Sequence, residues 1–270
     1  MIKHIFCDLD GTLYNEYISN EDFESIKIAQ DNGIKFNIAT GRVYEHTISI
    51  IEELEIDGYL ICENGAYIYN QDRECIYKRV MNNSQIKKII DFYYKLKYID
   101  NTRDTLYFKY DGNVVIPKDI GDLDYFSKGY TIDETIIKRE KYNDLVGNIG
   151  FFSTDSEILD KLVVDYSELF GSKFDVYKSS ETTVNIVPKG VSKFEAIKYI
   201  CKIEDISLDT VVTIGDSPND ISMLRNIKMS FSMSNSDESV KSVAGFNTPS
   251  VANAVNMVID FNNEIENMIK

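Results

Sequence analysis

The stretch IFCDLDGTLYNE, residues 5–16, decides the fold. Ile5, Phe6 and Cys7 read as a buried strand, and the strand runs directly into two carboxylates, Asp8 and Asp10, then Gly11 and Thr12. If His4–Leu9 is a strand, residues two apart point to one side, so both carboxylates face the same space at the strand's carboxyl end. Two like charges held that close repel, and a divalent cation relieves the repulsion; carboxylate and carbonyl oxygens suit Mg²⁺. A calcium loop is the rival for DxDG. It requires glycine at its sixth position and glutamate at its twelfth, where this chain has Leu13 and Ser19.

From that strand outward the pattern alternates. A helix capped near Ser19 runs to Gly33, IKFNIAT (34–40) reads as a strand, and a helix passes through Ile48, Ile51 and Leu54. GYLICENGAY (58–67) reads as a third strand, followed by a hairpin turning near Asn70–Asp72. Strand–helix alternation implies a parallel sheet with right-handed crossovers. After residue 80 the rhythm changes to a helix over 84–97, a hairpin on Asp111-Gly112, a strand at 148–154, a helix over 156–170 and strands near 173–178 and 182–187. The alternation resumes at Ser192 with a helix over 192–202, TVVTIGD (210–216), a helix over 218–226, MSFSM (229–233), and helices near 237–243 and 251–261. The expected organisation is an α/β core, a doubly wound parallel sheet, from 1–80 and 184–270, interrupted by an α+β insert at 81–183.

Composition narrows the classes. A chain of 270 residues, 43% hydrophobic, without low-complexity runs, is globular. No apolar run reaches the roughly 18–20 residues of a membrane span. MIKHIFCDL lacks the layout of a signal peptide, so a cytoplasmic location is expected. A net charge of −15 argues against nucleic acid and anionic membranes as partners. It leaves a phosphorylated metabolite open, because charges beyond ~8 Å are largely screened. Cys7, Cys62, Cys75 and Cys201 form no CxxC pair, and His4 and His46 stand in no metal-like spacing.

Three further pieces fall at the same predicted sheet edge. Thr40 and Gly41 in IATGR close the second strand, as a plain cap or as an anion-binding turn. In VPKGVSKFEAI, Lys189 and Lys193 flank the start of a helix, where the dipole favours anions, so each is either a solvated lysine or a placed one. In VVTIGDSPNDISML, Asp216, Asn219 and Asp220 surround a helix start at Pro218, as ordinary caps or with Asp216 as a third metal carboxylate.

Taken with DLDGTL (8–13), TGR (40–42), ENGA (63–66), KGVSK (189–193) and GDSPNDISML (215–224), the chain resembles the haloacid dehalogenase superfamily, and within it the Cof-type phosphatases. That resemblance implies an enzyme: a Mg²⁺-dependent phosphatase acting on a small phosphorylated metabolite through an aspartyl-phosphate. It implies Asp8 as nucleophile and Asp10 as general acid/base. Metal binding would fall to Asp8, the Asp10 carbonyl and Asp216, with Ser217 nearby. Phosphate contacts would come from the Leu9 amide, Thr40, Gly41, Lys193 and Asn219, with Asp220 and Lys189 in support. The insert would act as a cap that selects substrate. It holds 17 of the 32 Phe and Tyr residues, which either touch the leaving group or fill the insert's own core.

The tail departs from the family's pattern, with Ser234 and Ser236 in SMSNSDESVKSVA (232–244) and NTPSVANAV near 250. A sugar phosphomutase, or a phosphate-binding or signalling protein, remains an alternative. A receiver domain is disfavoured, since strand three ends at Cys62-Glu63-Asn64 without an aspartate.

Overall fold

The structure is a computed structural model that describes residues 1–119 and 129–269. The chain divides into two compact units. One comprises Met1–Gly41, Ser49–Tyr77 and Ser192–Lys270; the other comprises Arg42–Ile48 and Lys78–Val191.

In the first unit, β1 (His4–Cys7) is buried along its whole length, as a parallel strand covered on both faces must be. Helix α1 (Asn20–Asp31) begins at Ser19, whose hydroxyl accepts the Asp22 N–H, and is followed by β2 (Lys35–Ala39) and α2 (Ile48–Glu53). The segment read as one strand over 58–67 is two, β3 (Leu60–Cys62) and β4 (Tyr67–Tyr69), paired antiparallel. Glu63, Asn64 and Gly65 between them all have positive φ, at 52°, 59° and 106°, which turns the chain back. Strand β5 (Cys75–Lys78) completes that edge.

The second unit carries α3 (Asn83–Tyr93), β6 (Thr105–Tyr110), β7 (Asn113–Ile116), β8 (Thr131–Ile132), β9 (Val146–Phe152), α4 (Ser156–Phe170), β10 (Phe174–Ser180) and β11 (Thr183–Pro188). The strands form one sheet in the order β10-β11-β9-β6-β7-β8. Asp111 and Gly112, with φ of 51° and 75°, make the tight turn between β6 and β7. Tyr93, Tyr142, Tyr166, Phe108, Phe151 and Phe174 lie in this unit's core, so many of its aromatics serve its own packing. The unit's edges differ from the sequence boundaries for two reasons. Residues 184–188 belong to β11, which pairs with β9 and β10. Residues 42–48 join because Val43 is buried among Tyr107, Val114, Ile116 and Phe152, and the Glu45 N–H donates to the Gly112 carbonyl.

The chain returns to the first unit with α5 (Lys193–Ile203), β12 (Val211–Gly215), α6 (Ile221–Asn226), β13 (Met229–Met233), α7 (Glu238–Lys241), β14 (Phe246–Thr248) and α8 (Val251–Ile269). The eight-stranded sheet runs β14-β13-β12-β1-β2-β3-β4-β5, parallel from β14 to β3. Phe6, Ala39 and Ile61 pack with Ala196, Ile197 and Ile200 of α5 and Met223 and Leu224 of α6. Asn262 of α8 clasps the Ile2 backbone through both ends of its amide. Among the described residues no helix is long and apolar enough to cross a membrane.

One polar side chain fastens the middle of the sheet. Asn37, fully buried, donates to the carbonyls of Ile5 and Lys35 at 2.8 and 3.0 Å and accepts the Tyr59 N–H at 2.9 Å. Asn37→Ala removes these three bonds from the middle of the sheet, and we expect a loss of about 2–3 kcal/mol of stability in denaturant unfolding. A change below about 0.5 kcal/mol would show that Asn37 does not fasten the strands.

Candidate active site

The carboxyl ends of β1, β2, β3 and β12 lie side by side, the edge where open parallel sheets bind ligands. Strand β1 stops at Cys7, so the acid pair sits beyond it rather than within it. The Asp8 N–H still donates to the Ile214 carbonyl, after which the chain curls: the Leu9 carbonyl accepts the N–H groups of Leu13 and Tyr14. Strand alternation is therefore not what relates Asp8 to Asp10. Asp8 is buried, whereas Asp10 is half-buried and bridges to Tyr14.

Lys193 settles the choice between the two lysines. It is the first residue of α5, behind the Ser192 cap, and none of its side chain is exposed. Its ammonium pairs with Asp8 Oδ1 and, at 2.6 Å, with Asp220 Oδ1. Lys189 is not brought to this cluster. It belongs to the second unit, where its ammonium pairs with Asp175 at 2.6 Å.

Asp216 follows β12 and stands beside Asp8 and Asp220, with one oxygen from each within 4.8 Å of the others. Thr12, a position without a role in the sequence reading, donates its hydroxyl to Asp216 Oδ1 at 2.6 Å. Gly11, at φ +85°, makes this approach possible, because a Cβ there would run into the Asp216 carboxylate. Asp220 is engaged on both oxygens: Oδ1 takes Lys193, and Oδ2 takes the N–H groups of Asp216 and Ser217 at 3.0 Å each. It holds the loop rather than offering a free ligand. Ser217 is turned the same way, donating to Asn219 Oδ1 and lying 3.3 Å from Asp220 Oδ2.

Thr40 and Gly41 follow β2, and Asn64 adjoins both. Its N–H donates to the Thr40 carbonyl at 3.0 Å, and its Oδ1 lies 3.2 Å from where a Gly41 Cβ would stand. Asn64 Oδ1 also accepts Asn219 Nδ2 at 2.9 Å. The string ENGA was visible in the sequence, but nothing in it revealed that Asn64 would join two loops.

The charges do not balance. Three carboxylates, two of them buried, surround a single buried ammonium. Burial and the charge of Asp220 raise the Asp8 carboxyl well above the usual range, with Lys193 only partly opposing. Burial also raises Asp216, against the Thr12 hydrogen bond. For Lys193 burial alone would lower the pKa, but Asp220 and Asp8 more than reverse it, so the lysine stays charged. A net deficit of positive charge among hard oxygen ligands fits a divalent cation, which this group of carboxylates could hold.

Known proteins resemble this chain along most of its length. The chain is 24% identical over 253 residues to the 5-amino-6-(5-phospho-D-ribitylamino)uracil phosphatase YcsE of Bacillus subtilis, covering 92% of this chain and 90% of that protein. It is 26% identical over 242 residues to the phosphoglycolate phosphatase of Methanobrevibacter smithii, covering 89% of each. A haloacid dehalogenase-like hydrolase from Bacteroides thetaiotaomicron, solved by crystallography, shares the fold with a TM-score of 0.79 at 24% identity, over 96% of this chain and 100% of that one. The family signature itself runs along residues 5–259, nearly end to end, and this chain belongs to the haloacid dehalogenase-like hydrolases.

Proposed function

We propose that this hydrolase is a Mg²⁺-dependent phosphatase that cleaves small phosphate monoesters through an aspartyl-phosphate on Asp8. The observation that carries the proposal is the Asp8 carboxylate fixed by a buried Lys193 beside Asp216, with too little positive charge to balance the group. The two relatives act, by their names, on phosphate esters with different leaving groups, which supports a shared phosphoryl chemistry and leaves the leaving group open.

Lys193 holds one oxygen of Asp8, and the other attacks phosphorus in line as the ester P–O bond breaks. Asp10 gives its proton to the departing oxygen. Asp10, now a carboxylate, removes a proton from water as the water attacks the phosphorylated Asp8; phosphate leaves and both acids return to their starting states. Lys193 neutralises part of the charge that gathers in each step, and the Leu9 amide, Thr40, Gly41 and Asn219 bind the phosphoryl oxygens. A Mg²⁺ ion would be held by Asp8, Asp216 and the Asp10 carbonyl, and when bound it supplies the missing positive charge against a dianionic substrate. The same reading assigns the choice of leaving group to the inserted unit.

Asp8→Asn should lower turnover by about 10⁴-fold, measured as phosphate release from p-nitrophenyl phosphate and a panel of small monoesters with Mg²⁺ present. Undiminished turnover would sink the proposal.

A second expectation concerns stability. Because the folded carboxyls of Asp8 and Asp216 are raised, the folded chain keeps protons that the unfolded chain has shed above about pH 4. Stability of the metal-free protein therefore falls as pH climbs through the raised values. A cation on the deprotonated carboxylates offsets that loss, by roughly 2–3 kcal/mol at a hundredfold excess over its dissociation constant. Mg²⁺ should raise the melting temperature more at pH 8 than at pH 5. Asp216→Asn should raise the metal-free melting temperature and abolish the Mg²⁺ response. Equal Mg²⁺ shifts at both pH values would contradict the assignment.

A further inference from the structure

Three consecutive residues with positive φ, Glu63, Asn64 and Gly65, are an unusual investment for a turn between two short strands. Their surroundings account for it. Gly65 presses on the backbone that carries Lys193: a Cβ there would meet the Ser192 carbonyl and stand 3.3 Å from the Lys193 nitrogen. Asn64 reaches the other two loops, holding the Thr40 carbonyl with its N–H and Asn219 with its side-chain oxygen. The turn thus touches each of the segments to which phosphate contacts were assigned at 40–41, 193 and 219.

We infer that Asn64 is a positioning residue that locks the Thr40–Gly41 turn to the 217–220 loop and aims the Asn219 amide at the phosphoryl group. The inference rests on the phosphatase reading and adds to it a residue which that reading does not use.

The hydrogen bonds run in one direction. Ser217 Oγ donates to Asn219 Oδ1, which fixes the orientation of that amide, and Asn219 Nδ2 donates onward to Asn64 Oδ1. A carboxamide nitrogen carries two N–H donors. One is committed to Asn64, and that bond determines where the second points. Without the Asn64 carboxamide the Asn219 side chain loses the partner that sets its rotation, while the backbone N–H at 64 still holds the Thr40 carbonyl. A plainer account is that asparagine is present only because it tolerates the left-handed conformation. Glycine tolerates that conformation better and keeps the backbone N–H that holds Thr40, so Asn64→Gly removes only the side-chain bond to Asn219, without straining the turn, and separates the two accounts.

The test uses the full chain with Mg²⁺ and two readouts, p-nitrophenyl phosphate kinetics and direct binding of inorganic phosphate, with melting temperature measured alongside. For Asn64→Gly we expect KM and the phosphate dissociation constant to rise about five- to tenfold, the loss of one hydrogen bond, with kcat changed less than about threefold. In a double-mutant cycle, Asn219→Ala should add little on the glycine background. On an Asn64→Asp background, which keeps an acceptor and the turn, Asn219→Ala should retain its full effect; this arm also serves if the glycine variant does not fold. Unchanged phosphate affinity in Asn64→Gly, additive effects in the cycle, or loss of the Asn219 effect on the aspartate background would overturn the inference. Full activity of Asp8→Asn would instead sink the aspartyl-phosphate on Asp8 that the proposed function requires, and direct phosphate binding keeps the two failures apart.

Discussion

A single buried ammonium, that of Lys193, stands between Asp8 and Asp220, and the arrangement of the site follows from what that one charge can and cannot do. Two carboxylates about 5 Å apart repel by roughly 3 kcal/mol at an effective dielectric near 20. Lys193 offsets part of this for Asp8 and Asp220 and leaves Asp216 to a hydroxyl, Thr12. The local devices of the sequence serve that crowding: Ser192 starts the helix that presents the lysine, and Gly11 clears room for the Asp216 carboxylate.

The carboxylates divide their labour by environment. Asp220 has its oxygens saturated by Lys193 and two backbone N–H groups, so it works as a brace that shapes the 216–220 loop. Asp8 gives one oxygen to Lys193 and Asp216 one oxygen to Thr12, and the two carboxyls stand against each other. Residue types alone do not distinguish these duties, since all three are aspartates near a sheet edge. Saturation by neighbours does.

Much of this was legible in the sequence because its signals are local. The acid pair after a hydrophobic run, the Thr-Gly strand end and the Gly-Asp-Ser-Pro turn each mark a strand terminus, and parallel topology gathers such termini on one side. The choice of Lys193 over Lys189 followed family spacing; physically it rests on Asp8 and Asp220, which pair with the buried Lys193, whereas Lys189 lies in the other unit and pairs with Asp175. The break at 63–65 was missed because GYLICENGAY (58–67) reads as one strand, and periodicity does not register three positive φ angles. Thr12 and Asn64 escaped for a related reason: a threonine or asparagine in a turn is ordinary until its long-range partner is known, and those partners, Asp216 and Asn219, lie more than 150 residues away.

The placement of residues 42–48 has an architectural consequence. The chain passes between the two units four times rather than twice, because this short strap leaves the first unit after Gly41 and the chain rejoins it at Ser49. The large insertion is therefore not a detachable module. Excising 78–191 would strip Val43 of Tyr107, Val114, Ile116 and Phe152, exposing an apolar side chain two residues from Gly41. In this chain the strap and the insertion therefore fold as one body although 29 residues, 49–77, separate them along the sequence.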